Sequence, residues 1–249
     1  MRMAGRSVFI PLPDRDFDVT EVSVPWKLLR EAGHQIVFLT EKGEGPAAGD
    51  PKLLTGVIFG QLGADAEPKK FYAEMIASPE FLKPLPWTSL TAESADALLL
   101  PGGHAPGMRQ YLGSEELQKR VATFFQSGKP VAAICHGVLL LARAKDQAGK
   151  SVLFDKKTTS LTKTQERVAY FLTAWKLGKY YRTYPEYVED EVKALLRGPK
   201  QYETGPIALT SRGTRENDAP AFCVTDGNYV SGRWPGDAYL LAKKLLALL

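Results

Sequence analysis

Cys135 and His136 are adjacent in the stretch VAAICHGVLLLARA, Val131–Ala144, where an apolar run gives way to a helical pattern. The chain of 249 residues has only two cysteines and three histidines, and one of each meets here. A cysteine at the carboxyl end of a buried strand lies where open α/β sheets form their sites. Beside a helix N-terminus, free amides favour negative charge, which predicts a lowered thiol pKa and a populated thiolate. Gly137 leaves room for close backbone approach or a substrate atom, and the His136 amide is suited to an oxyanion. The competing reading is a buried, inert cysteine. Cys223, in the strand pattern PAFCVTDG, is expected to be the shielded one of the two. A second strand end, LLLPGGHAPGM, supplies Gly102 and Gly103, whose backbone donors can turn toward a site, with His104 on its rim. An ordinary strand-to-helix turn is the alternative there. Neither GxxxxGK[ST] nor GxGxxG occurs, so no phosphate or dinucleotide loop is predicted.

Positioning these groups requires strands and helices in alternation. RSVFIPLP, HQIVFLT, ADALLLPGG and KPVAAIC read as strands. TEVSVPWKLLREAG reads as a helix with Thr20 as cap, Pro25 as an interior disturbance and Gly33 as stop. SEELQKRVATFFQSG reads as a helix capped by Ser114, HGVLLLARAKD as the helix after the cysteine, and PGDAYLLAKKLLALL as a C-terminal amphipathic helix. Val152–Leu161 is expected to hold one or two short strands, and PAFCVTDGNYVSG a hairpin turning at Asp226–Gly227. The segment from Thr164 to Gly198 is mostly helical in pattern, with a break near Tyr184–Pro185. Residues 43–90, rich in glycine and proline, read as a peripheral insertion or lid on a single domain spanning 1–249. Apolar strands that barely alternate predict a three-layer α/β sandwich with a mostly parallel central sheet.

Composition sets the outer limits. The chain is 44% hydrophobic and 24% charged, with a formal net charge of +4 and no dense basic block, so neither nucleic acid nor membrane is an expected partner. Two cysteines exclude a disulfide scaffold and fit a reducing, cytoplasmic setting. The N-terminus lacks a signal-peptide pattern, and no apolar run is long enough to span a bilayer. Tetrahedral zinc needs three or four convergent ligands. Only His34 and His104 remain to join Cys135 and His136, and His34 reads as structural, so no metal or other cofactor is expected.

AICHG, the upstream LLLPGGH and the early TEVSVPWKLLREAGHQIVFLT together resemble the DJ-1/ThiJ/PfpI superfamily over the whole chain, most nearly its Hsp31-like, glyoxalase III-like branch. YPEYVEDEVKALL is similar to a helix of that branch. The resemblance implies a flavodoxin-like, class I glutamine amidotransferase-like fold and a homodimer. It implies that Cys135 is the nucleophile, His136 its partner and Glu166 the orienting acid. Glu21 matches a buried, protonated carboxylic acid that hydrogen-bonds the cysteine, and Gly103 with the His136 amide matches the oxyanion donors. The elbow Ala133–Ile134–Cys135–His136–Gly137 lacks the leading glycine of GxCxG. SGRWPGDAYLLAKKLL departs from the family's TG.NP.SA ending at Arg233, Trp234 and Asp237. The tyrosine-rich LGKYYRTYPEY suits a pocket wall, an interface or plain helix packing. The implied activity is cofactor-independent conversion of methylglyoxal to lactate. Hydrolysis of an amide by the same thiol, or a stress-response chaperone or redox-sensing role, are the alternatives. The expected partner is a small carbonyl or amide substrate.

Overall fold

The computed structural model describes residues 5–57, 62–182 and 184–249. The chain runs β1 (Ser7–Pro11), β2 (Arg15–Phe17), α1 (Val19–Glu31), β3 (Gln35–Thr40), β4 (Ala48–Gly49), α2 (Pro51–Thr55), α3 (Ala66–Ile76), α4 (Pro79–Leu82) and β5 (Leu85–Pro86). It continues through β6 (Ala97–Leu100), α5 (Met108–Leu112), α6 (Glu115–Gln126), β7 (Val131–Ile134) and α7 (Gly137–Arg143). The last part holds α8 (Lys163–Leu177), α9 (Val188–Ala194), β8 (Cys223–Asp226), β9 (Tyr229–Gly232) and α10 (Ala238–Leu246).

Seven strands form the main sheet in the order β5-β3-β1-β6-β7-β9-β8. All neighbours are parallel except the β8–β9 hairpin. Every residue of β6 and β7 is buried, which is why ALLL and VAAI show no polar alternation. Each Val, Leu or Ile so buried contributes about 1.5–3 kcal/mol. α10 packs on β7 and β9 and against α1, while α7 packs on β6 and β7 with α5, α6 and α9 beside it, giving a layer of helices on either side. Strand order reverses between β1 and β6, since β1 is followed outward by β3 and inward by β6. Loops at the carboxyl ends there meet in one crevice.

Two local expectations need correction. The cap of α1 is Asp18, whose Oδ1 accepts the amides of Thr20 and Glu21 at 2.8 and 3.1 Å; Thr20 lies inside the helix. Asp18 holds two amides from one fixed side chain, so α1 starts at Val19 and runs through Pro25 to Glu31. Val152–Leu161 holds no strand, only an isolated bridge from Thr158 to Tyr202. Within 43–90, α3 packs on α1 and β5 extends the sheet beside β3; residues 58–61 of that stretch lie outside the described residues. The hairpin forms with Gly227 at φ 62° in its two-residue loop. Among the described residues no helix is long and apolar enough to cross a membrane.

The loop after β9 is fixed by an ion pair. Arg233 and Asp237 are at most 1% exposed, and the pair is bidentate, Nε–Oδ2 2.9 Å and Nη2–Oδ1 3.0 Å. Asp237 also accepts the amides of Phe222 and Arg233, each at 2.9 Å. Asp237→Ala should therefore lower the unfolding free energy by about 3–5 kcal/mol in urea denaturation, because it strands a buried guanidinium. Replacing both partners by apolar residues of similar volume should cost much less.

Candidate active site

Cys135 follows β7 directly and has φ 58°. A non-glycine residue held there costs of the order of 1–3 kcal/mol, so its neighbours must impose it. The Cys135 amide is tied to the Gly232 carbonyl of β9 at 3.1 Å, and the Leu139 amide to the His136 carbonyl at 2.9 Å. Gly137 lets α7 begin hard against the end of β6: a Cβ there would lie 2.0 Å from the Leu100 carbonyl oxygen. Gly102 is equally confined, since its Cβ would meet the His136 amide nitrogen at 2.6 Å.

The loop after β6 is clamped to the start of α1. The Asp18 amide donates to the Gly102 carbonyl, and the Gly102 amide donates to Glu21 Oε2, both at 2.8 Å. Gly102 is therefore spent on Glu21 and does not present a donor to a substrate, contrary to the sequence expectation. Glu21 is fully buried. Burial, the charge of Asp18 and that of Asp237 hold its carboxyl well above the usual range, against the Gly102 amide and Cys135, which pull it down.

The thiol itself differs from the expectation. Cys135 is fully buried, and burial pushes its pKa up, reinforced by the charges of Glu21 and Asp18; the His136 amide opposes weakly. α7 has seven residues and starts two positions later, so its dipole does not offset that desolvation. His136 Nδ1 stands 3.5 Å from Cys135 Sγ. Burial, then His104, Arg143 and Arg182, push the His136 pKa well down. The resting pair is a neutral thiol beside a neutral imidazole. Cys223, expected to be shielded, is the less buried of the two cysteines.

Glu166 does not reach His136. Its helix starts with a capping box, Thr162 and Gln165 exchanging side-chain and backbone bonds, which sets Glu166 in the first turn of α8. There its Oε1 accepts Arg182 Nη1 at 2.9 Å and its Oε2 the Val188 amide at 3.0 Å. Among the described residues no carboxylate hydrogen-bonds His136. Its ring instead meets that of His104 edge-on, centroids 4.9 Å apart at 77°. His104, pushed down to about 4 by burial, also stacks edge-on with Tyr181. Gly103 follows Gly102 against Asp16 and Asp18, and His34 is remote from the site, accepting the Arg6 amide.

A cavity of about 160 Å³ opens beside His104. Leu53, Val57, Leu161, Leu172 and Trp234 give it apolar walls, and Asp18, Asp50, Gln165 and Arg212 its polar points. Tyr181 and Tyr180 donate to the two oxygens of Asp50 at 3.0 and 3.2 Å, so part of the tyrosine-rich stretch lines this cavity. Asp18, Asp50, Arg182 and Arg212 escape sequence reasoning. Only Asp18 leaves a signal there, as the acid immediately before an apolar helix start with Glu21 three residues on.

A parallel sheet carrying a cysteine in a left-handed strand-to-helix turn, with histidine next to it, defines the class of α/β proteins built on a nucleophile elbow. The chain belongs to the DJ-1/ThiJ/PfpI superfamily: residues 12–206 match the ThiJ/PfpI family-like family. It is 31% identical to an uncharacterized protein of Schizosaccharomyces pombe, over 95% of this chain and 81% of that one. It is 26% identical to a deglycase of Pyrococcus abyssi, over 94% and 93%. The solved structure of glyoxalase III from Candida albicans has the same fold, with a TM-score of 0.70, 21% identity, and 98% and 97% of the two chains covered.

Two outcomes follow from this geometry. Glu166→Gln should weaken the Arg182 and Val188 contacts and lower thermal stability, while leaving the reactivity of the Cys135–His136 pair within about threefold of the parent, since a buried charge-assisted bond is worth about 1.5–3 kcal/mol to folding. Burial raises Asp18 from 3.8 to about 6. A folded-state value above the unfolded one contributes stability that is complete below the unfolded value and is lost as pH rises through the folded one. Asp18→Asn should therefore gain on the parent between about pH 4 and about pH 6, and the gap should level off above that, as read by urea denaturation across the interval.

Proposed function

We propose that the protein is a cofactor-independent cysteine enzyme acting on small reactive carbonyls, with glyoxalase III-like conversion of methylglyoxal to lactate as its reaction. The observation that carries this reading is Cys135 Sγ at 3.5 Å from His136 Nδ1 on a left-handed elbow, beside the buried acid Glu21.

The neutral imidazole accepts the thiol proton as sulfur adds to the aldehyde carbon, and Glu21 assists through its own proton. The alkoxide takes that proton back from His136, giving a neutral hemithioacetal. His136, a base again, removes the hydrogen from the former aldehyde carbon and returns it to the neighbouring carbon through an enediol. The resulting thioester is hydrolysed by water, which releases lactate and restores the thiol. Gly103 and the His136 amide serve the oxyanions formed on the way. The proton moves between adjacent carbons of one substrate, so no external oxidant or reductant enters. In this reading Glu166 holds Arg182 and the Val188 amide and takes no part in the proton transfers, and the enzyme works as a homodimer on a small-molecule substrate.

A thiol hydrolase would use the same nucleophile, and relatives from Pyrococcus bear the name deglycase. The apolar cavity beside His104 favours carbonyls with a hydrophobic substituent over charged adducts. Lactate formation from methylglyoxal should vanish in Cys135→Ala and fall about 100- to 10,000-fold in His136→Asn, with folding checked by circular dichroism. Phenylglyoxal should exceed methylglyoxal in kcat/KM by about tenfold or more, since each buried methylene is worth ~0.8 kcal/mol. A parent inactive on both dicarbonyls, or a folded Cys135→Ala that turns them over, would overturn the reading.

A further inference from the structure

Three metal-binding side chains meet at the elbow. The ligand atoms of His104, Cys135 and His136 all lie within 4.8 Å of one another. Zinc bonds of ~2.3 Å to sulfur and ~2.0–2.1 Å to nitrogen, at a tetrahedral angle, set sulfur and nitrogen about 3.5 Å apart. The edge from Cys135 Sγ to His136 Nδ1 already measures 3.5 Å. The His104 ring stands across that of His136 at 77°, so a rotation or shift of the order of 1 Å closes the third side.

The surroundings suit a cation. Glu21 is fully buried, its Oε1 has no hydrogen-bond partner among the described residues, and its carboxyl and Cys135 flank the same point, each 3.0 Å from where a Cβ on Gly102 would stand. With the thiolate it would balance the two charges of a divalent ion, which a buried site requires. Of the three, only His104 also lines the cavity, which gives an ion a way in past its ring. Two imidazoles and a thiolate form a borderline-soft set suited to zinc; a hard oxygen-seeking ion such as magnesium is disfavoured.

We propose that Cys135, His136 and His104 form a three-ligand zinc site whose occupation caps the nucleophile. On binding, the sulfur–zinc bond forms as the thiol proton leaves to solvent, the Glu21 carboxyl releases its own proton to solvent as it becomes the second counter-charge, and no electron changes hands. The site stands on this geometry alone; inhibition of turnover by the ion rests additionally on the reading above.

Chelator-treated protein is titrated with zinc by calorimetry and with cobalt(II) as a spectroscopic probe. One ion per chain is expected, with a thiolate-to-cobalt charge-transfer band in the near ultraviolet. Cys135→Ser should abolish the band, His104→Gln should weaken binding by more than about 100-fold, beyond what loss of an outer-sphere partner costs, and Cys223→Ser should behave as the parent. No saturable binding, cobalt bound without a thiolate band, or His104→Gln within threefold of the parent would overturn the proposal. If a variant fails circular dichroism, the unaltered protein decides. Zinc should protect Cys135 and not Cys223 from alkylation, located by mass spectrometry, and equal labelling with and without zinc would count against the site. None of these readouts uses turnover, so a wrong substrate and a wrong metal site give different results.

Discussion

A cysteine in the left-handed region between a parallel strand and a helix stores free energy, and it persists only where every relaxed alternative is blocked. Here the blocking is mostly backbone. β7 is paired on both sides, by β6 and β9, and the Gly232 carbonyl holds the Cys135 amide. Behind the elbow, the Leu100 carbonyl leaves space for a glycine and nothing larger at 137. Sliding the strand or unwinding the first turn of α7 would break those contacts together. The sulfur's position is thus a property of the surrounding strand ends, with little contribution from its own contacts.

The second constraint is electrostatic. Asp18, Glu21 and Cys135 are all buried acids; the charge of Asp18 makes ionisation of the other two harder, and that of Glu21 makes ionisation of the thiol harder. The arrangement favours a thiol that is stored neutral and ionises when a reaction partner takes up its charge. Asp18 meanwhile caps α1 and bonds the Gly102 carbonyl through its amide, so the helix that carries Glu21 cannot drift from the loop it faces. Structural and chemical duties fall on the same carboxylates, which is why their desolvation is tolerated.

What a reader of the sequence can see follows from range. β6, β7 and the elbow are legible because apolar runs of four or five residues ending in glycine have few other uses in an α/β chain. The helices after Ser114 and before Gly33 announce themselves through caps and stops. Glu166 reads as the partner of His136 because its local stretch is right; what removes it is Arg182, sixteen residues on, arriving across α8 by a turn that no periodicity encodes. The thiol pKa is misread from sequence for a related reason. A helix N-terminus is local and visible, whereas burial by α1 and the Gly102 loop is a sum over distant segments. Arg233, Trp234 and Asp237 stand out as departures from a pattern, and the first and last form a buried ion pair while the tryptophan walls the cavity.

The bond from the Cys135 amide to Gly232 joins the middle of the chain to almost its end. During synthesis the N-terminal part emerges first, and β7 then has β6 on one side and a bare edge on the other until β9 has been made. An exposed apolar strand edge is a template for pairing with other chains. The elbow therefore closes only once β9 has been made, and a chain stopped before Tyr229 would carry Cys135 on an open edge.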